Sequence, residues 1–362
     1  MSSFTNNNAK SIFSWIFMKN DELDQVVFYF ISQKNATSAR YFPLFDTNLK
    51  VRIVFMKGFP IKYTDSLSLK IFYFLRKLCK RKIDSYKIVH IFDLRDRLDC
   101  DLQVLHIDDP TYTENEILKI RNWEKRSSFV TFQSIIVCTN KFTLNWLKSK
   151  GCCSKFIIIE QGFGVSLKKS NIKKYNGFSC VYSSPYIHYG SDKHSNHSTW
   201  GSHHLLDDLI PKINEKVGDI QIHLIGEIGP CALKKIKTLE NVFLYGRVDF
   251  DTNLEIMSKC TIGIYPRNFD HKRSILKIFS YIGAGLPVVA YDLVDTEIVK
   301  SKSLGLVVKS QDEFIEAIVS LKTNDFLLKK YEHNVTKIKD RYLWGNLSIK
   351  LNDSLSEIQK VI

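Results

Sequence analysis

The densest grouping of residues fit for chemistry lies between Thr261 and Asp292, TIGIYPRNFDHKRSILKIFSYIGAGLPVVAYD. Arg267, His271, Lys272, Arg273 and Lys277 crowd around Ser274, whose hydroxyl can cap a helix. A helix that starts on a cationic loop is a place to hold phosphate. Its unbonded N–H groups and the positive end of its dipole both favour an anion. The flanking residues supply that helix. Thr261–Tyr265 reads as a short β-branched and apolar strand stopped by Pro266. Ile275, Ile278, Phe279 and Ile282 then recur at helical spacing. Gly283 and Gly285 end the helix, Pro287 forbids its continuation, and Leu286–Tyr291 reads as a buried strand.

A second grouping closes the apolar strand Leu102–Ile107 with Asp108-Asp109-Pro110. Ligands in doubly wound sheets sit at the carboxyl ends of strands, where an acid is placed for general-base work. Strand side chains alternate, so only one of the two acids faces such a ligand. Either can take that role, and both are also explained as turn residues. His106 reads as core. His194, His197, His203 and His204 lack a compact zinc spacing with Cys or acids and read as a polar loop before a helix, so no metal is expected.

Alternating elements must position these groups. In the first half, Gln25–Ser32, Val51–Met56, Lys87–Phe92, Leu102–Ile107, Ser134–Cys138 and Phe156–Glu160 read as strands. Ser66–Lys82, Glu114–Ser127 and Lys141–Lys150 read as helices. A polar run from Gln161 to Gly177 is the best linker. Beyond it, Phe178–Ser183, Ile220–Ile225, Val242–Tyr245 and Leu306–Val308 read as strands. Helices follow near His203–Val217, Thr252–Lys259, Asp312–Lys322, Asp325–Lys339 and Asn346–Lys360. The fold class is α/β, with mostly parallel sheets covered on both faces. The reading gives three parts: residues 1–165 and 166–340 as two Rossmann-like halves, and 341–362 as a terminal helix; two such halves joined by one linker resemble the GT-B plan, which implies that they face a cleft and that the last helix crosses back.

The Thr261–Asp292 segment resembles the donor-binding signature of GT-B glycosyltransferases. The ending Ala284-Gly285-Leu286-Pro287-Val288-Val289 is similar to that of retaining family 4, but Lys272 and Ser280 stand where that family has two glutamates. Ser274, Lys277, Tyr281, Gly285 and Pro287 follow the order seen in xanthan-type glucuronosyltransferases. The resemblance implies a nucleotide-diphosphate sugar as donor, UDP-sugar favoured and UDP-glucuronate suited to a basic cleft. It implies a glycan or lipid-linked acceptor, as in surface polysaccharide synthesis. Asp108 or Asp109 would then be the base that deprotonates the acceptor hydroxyl. Donor contacts would come from Arg267, Ser274, Lys277, Ser280 and Tyr281. Ser183, Ser184 and Gly190 would lie under the diphosphate, and Gly226 and Arg247 would end strands that hold the nucleotide, the base resting near Tyr245-Gly246-Arg247-Val248. No cofactor is implied. With both glutamates replaced, the reading leans to inversion. Asp99-Cys100-Asp101 spells the metal-nucleotide motif of the other major glycosyltransferase fold, but it reads as a charged loop before a strand.

Composition sets the remaining bounds. The chain has 362 residues, 44% hydrophobic and 12% aromatic, enough for two packed domains. Its formal charge is +14, with the excess mainly in the first half and so apart from the phosphate loop. Lys70–Lys82, KIFYFLRKLCKRK, is a basic amphipathic helix candidate that suits an anionic membrane surface. Eight cysteines without C-x-x-C spacing read as reduced thiols. The start MSSFTNNNAK lacks the layout of a signal peptide, and no apolar run reaches the ~20 residues that span a bilayer. The expectation is a cytoplasmic protein, peripheral on the inner membrane face. Two other readings stay open. One is a GT-B sugar-nucleotide epimerase, which needs acids and a histidine converging on the sugar. The other is a non-catalytic basic binder of membrane or nucleic acid; the chain lacks aromatic-rich RNA-binding motifs, so no nucleic-acid partner is expected.

Overall fold

The computed structural model describes residues 26–30, 51–55, 83–89, 100–107, 114–129, 133–163, 173–193, 202–269 and 276–343, with 346–347, 349–351, 353–354 and 357 beyond them. The chain forms two compact units. One comprises Met1–His106, Leu118–Ile136 and Cys153–Lys155, the other Ile107–Ile117, Val137–Cys152 and Phe156–Ile362.

Among the described residues of the N-terminal part, β1 (Val26–Phe30) and β2 (Val51–Phe55) pair in parallel, Val26 opposite Val51. β3 (Ile83–Val89), β4 (Cys100–Ile107), β5 (Gln133–Cys138) and β6 (Lys155–Ile158) form a four-stranded sheet in that order. β3 starts earlier than the Lys87–Phe92 expected, because Ile83 is already paired with Cys100. The same pairing puts Cys100 and Asp101 inside β4, not in a loop before it. Helices Glu114–Phe129 and Lys141–Ser149 lie where the apolar spacing puts them. Asn140 caps the second, its Oδ1 accepting from the Thr143 N–H at 2.7 Å.

The C-terminal part is built on β7 (Ser179–Ile187), β8 (Gln221–Ile228), β9 (Val242–Leu244), β10 (Ile262–Tyr265), β11 (Val288–Tyr291) and β12 (Gly305–Val308). The order across the sheet is β12-β11-β10-β7-β8-β9, and every pairing is parallel. This is the doubly wound arrangement, with helices on both faces. Successive residues of each strand feed opposite cores. Cys180, Tyr182, Ile222, Leu224, Ile262 and Ile264 pack one face with Leu205, Leu209 and Ile213. Val181, Ile225, Val288 and Ala290 pack the other with Ile278, Phe279 and Ile282.

Two details shape the strand ends. The β7–β8 register slips between Ser183 and Tyr186, so Ser184 and Pro185 bulge opposite Gly226. Gly226 has φ +148°, and a Cβ there would lie 1.9 Å from the Ser184 carbonyl oxygen, so the bulge requires glycine. The helix Leu276–Gly283 ends as its sequence predicts: Gly285 adopts φ +77°, and the Leu286 N–H bonds the Tyr281 carbonyl at 2.9 Å. Among the described residues, no helix is long and apolar enough to cross a membrane.

Candidate functional site

The order of the second sheet reverses between β10 and β7. The connections leaving these two strands run to opposite faces, which opens a crevice at their carboxyl ends. β7 delivers Tyr182, Ser183 and the bulged Ser184 to this edge. β10 delivers Tyr265 and, just past it, Arg267. The helix Leu276–Gly283 adds Lys277 from its first turn, while Ile278, Phe279 and Ile282 anchor it in the core.

These side chains converge. Lys277 Nζ donates to Ser184 Oγ at 3.1 Å and to the Tyr182 hydroxyl at 3.3 Å, and lies 4.7 Å from the centre of the Tyr182 ring. Burial drives the Lys277 pKa well below the ordinary lysine value, and the charge of Arg267 lowers it further. Arg267 is itself buried. Its Nη1 meets Asp295 Oδ2 at 3.3 Å, and its guanidinium sits 5.6 Å from the Tyr265 and Phe269 ring centres.

Among the described residues, Arg267 Nε and the Tyr265 hydroxyl are buried without a hydrogen-bond partner. Leaving a buried donor unmade costs about 1–3 kcal/mol. A half-buried lysine and a buried guanidinium, with two unanswered donors among these side chains, form an environment that an anion with several acceptor oxygens would relieve.

The other expected residues fall into several places. The Ser183 N–H donates to the Tyr281 hydroxyl at 3.1 Å, and that hydroxyl donates to the Ile264 carbonyl at 3.0 Å. Tyr281 thus ties β7 to β10 beneath the site. Ser183 Oγ donates to Asn253 Oδ1 at 3.1 Å. Ser280 Oγ turns back to the Leu276 carbonyl at 3.0 Å. Gly226 faces the Ser184 bulge, and Gly190 lies in the turn after β7 beside Cys231. Arg247 is exposed and meets Glu227 at 3.8 Å. Asp108, Asp109, Ser274, His271, Lys272, Arg273, His194, His197 and Lys70–Lys82 lie outside the described residues.

Three contributors carried no sequence signal of their own. Tyr182 reads as one more apolar strand residue, and Asn253 as one polar residue on a helix that covers the sheet. Asp295 hides in Leu293-Val294-Asp295-Thr296. An acid in an apolar stretch close behind a buried strand was the available clue, since such an acid needs a cation.

The chain is similar to known proteins in fold and, over part of its length, in sequence. Residues 193–324 match the family of glycosyl transferases group 1. No curated protein matches the sequence of the chain. Among solved structures, Anabaena HepE in complex with UDP-glucose is 14% identical, with TM-score 0.60 over 92% of this chain and 99% of that one. An α,α-trehalose-phosphate synthase (UDP-forming) from Burkholderia vietnamiensis is 8% identical, with TM-score 0.60 over 94% and 99%. A point mutant of TarM from S. aureus, complexed with fondaparinux, α-GlcNAc-glycerol and UDP, is 14% identical, with TM-score 0.54 over 78% of this chain. The chain spans 57% of the length of that TarM chain. At these identities the likeness is one of fold, and that fold is GT-B.

Proposed function

We propose that this chain, an α/β protein of GT-B fold whose residues 193–324 match glycosyl transferases group 1, moves a sugar from a nucleotide-diphosphate donor to an acceptor hydroxyl. The observation that carries the reading is the half-buried Lys277 and the buried Arg267 at the switch point of the sheet, with two unanswered donors among them. As the sugar–phosphate bond breaks, negative charge grows on the diphosphate. Fixed cations in a water-poor site stabilise that charge without reorganising, so the leaving group departs without a metal. Ser184, lifted by the bulge, fixes the direction of the Lys277 ammonium. Asp108 or Asp109, directly after β4, takes the acceptor proton.

UDP is the favoured nucleotide, because HepE and TarM are described with UDP-glucose and UDP. UDP-glucuronate suits the two cations as an acidic donor. A glycan or lipid-linked acceptor in surface polysaccharide synthesis fits a basic protein that works at the inner membrane face. Lys70–Lys82 would be the contact with anionic lipid, and neutralising Lys80, Arg81 and Lys82 should then weaken binding to anionic vesicles. A thermal-shift screen against UDP-, GDP- and CMP-sugars tests the central reading. A selective rise in Tm with UDP-sugars, absent in Lys277→Ala, supports it, since ligand binding stabilises by mass action. No response to any nucleotide sugar refutes it.

A further inference from the structure

The polar run that begins at Gln161 opens on buried residues: Gln161, Gly162 and Phe163 all lie in the interior. Phe163 is 1% exposed and shares a core cluster with Ile278, Phe279 and Ile282 of the Lys277 helix, Leu276–Gly283. Its ring lies against Gly283, the last residue of that helix. A Cβ built on Gly283 would fall 2.2 Å from Phe163 Cδ2 and 2.5 Å from Cγ. No side-chain atom fits that close to a packed ring, so glycine alone leaves the ring its seat. The backbone makes no such demand, since Gly283 is helical and the left-handed residue is Gly285.

The ring is held from behind as well. The Phe163 N–H donates to the Tyr342 carbonyl at 2.9 Å, and Phe163 pairs with Leu343 in an isolated parallel bridge. The Tyr342 ring meets Phe279, on the Lys277 helix, edge-on at 5.2 Å. Three residues before Phe163, Glu160 Oε2 accepts from Lys350 Nζ at 2.8 Å. All of these residues belong to one compact unit.

Leu276–Gly283 has 8 residues, too few for a helix to hold itself, so packing decides where it points. Along its axis Gly283 and Lys277 are about 9 Å apart, at 1.5 Å per residue. The two ends of so short a helix move together. A tilt at Gly283 shifts Lys277 Nζ against Ser184 and Tyr182, which β7 holds in place. Misplacing a catalytic group by about 1 Å can cost a hundredfold in rate.

We infer that Phe163 is a positioning residue for sugar transfer: seated on Gly283, it fixes the helix that carries Lys277 to the crevice. This rests on the nucleotide-sugar reading. Steady-state transfer kinetics of Gly283→Ala, Phe163→Leu and the double variant, each with Lys277 present and with Lys277→Ala, test it. Gly283→Ala should lower kcat about ten- to a hundredfold and leave KM within about threefold, because the lost interaction is one made in the transition state. Phe163→Leu should lower kcat less, since it removes ring atoms and forces nothing apart. In the double variant the smaller side chain makes room for the methyl, and kcat should return to within about threefold of the wild type. With Lys277→Ala, adding Gly283→Ala should change the residual kcat by less than about threefold, since damage that acts through a group disappears once that group is gone. A purely structural contact would lower Tm and spare the kcat of folded protein, or lower kcat equally with and without Lys277. Either result overturns the assignment and leaves the diphosphate site standing. Where Gly283→Ala does not fold, Phe163→Leu with and without Lys277 makes the same comparison. Failure of the wild type to transfer sugar from any nucleotide sugar overturns both.

Discussion

The two ends of the strand-end face use charge in opposite ways. Over β10 and β7, Arg267 and Asp295 are buried and Lys277 is half-buried, and desolvation displaces the Lys277 pKa downward. Over β8 and β9, Glu227 and Arg247 stand in water at 3.8 Å. Buried charges interact strongly and destabilise whatever leaves them uncompensated, whereas exposed pairs contribute little beyond orientation. Under the proposed function, the first end is the one suited to stabilising a leaving group.

That contrast can be broken experimentally, beginning with the largest effect. Asp295→Asn removes the partner of a buried guanidinium and should destabilise the protein by about 3–5 kcal/mol. A denaturant titration checks this, and a loss under about 1 kcal/mol would mean that water reaches Arg267. Lys277→Ala should lower kcat for sugar transfer by about 10²–10³-fold, the cost of removing one fixed stabiliser of developing charge. Steady-state kinetics with a preserved far-UV spectrum separates this from unfolding.

Lys277 also gives a test of sign. Its folded-state pKa is depressed, so the unfolded chain binds more protons and the lysine is a net penalty. The penalty is full below the folded pKa and fades as pH rises towards 10.5. Lys277→Met should therefore be more stable than the wild type at neutral pH, by a margin that shrinks towards pH 10.5, read as Tm against pH. The smallest effect belongs to the exposed end. Arg247→Ala should change stability by no more than about 0.5 kcal/mol, while weakening UDP binding measurably. A large loss of stability would erase the distinction between the two ends.

The parts of the site differ in how plainly the sequence announces them. The strand–helix–strand unit from Thr261 to Asp292 is local: Pro266, the helical spacing of Ile278, Phe279 and Ile282, and Gly285 each act on neighbours. Its helix and strands therefore follow from the text. The place of Lys277 on the first turn of that helix follows for the same reason. The partners of Lys277 do not, because they arrive through long-range pairing. Ile262 beside Cys180 and Gly263 beside Val181 bring Tyr182 and Tyr265 to one edge from distant parts of the chain. Gly226 was read as a strand-ending glycine, but β8 runs on to Ile228, and the need for glycine comes from a bulge on another strand. Tyr281 matched a signature position, yet its hydroxyl is spent on the backbone of β7 and β10.

The most direct measurement is a crystal structure with UDP bound. The account predicts diphosphate oxygens about 2.7–2.9 Å from Lys277 Nζ, the distance of a charge-assisted hydrogen bond, with others at Arg267 or the Tyr265 hydroxyl. A diphosphate seated away from the ends of β7 and β10, with Lys277 still turned onto Ser184 and Tyr182, would contradict it.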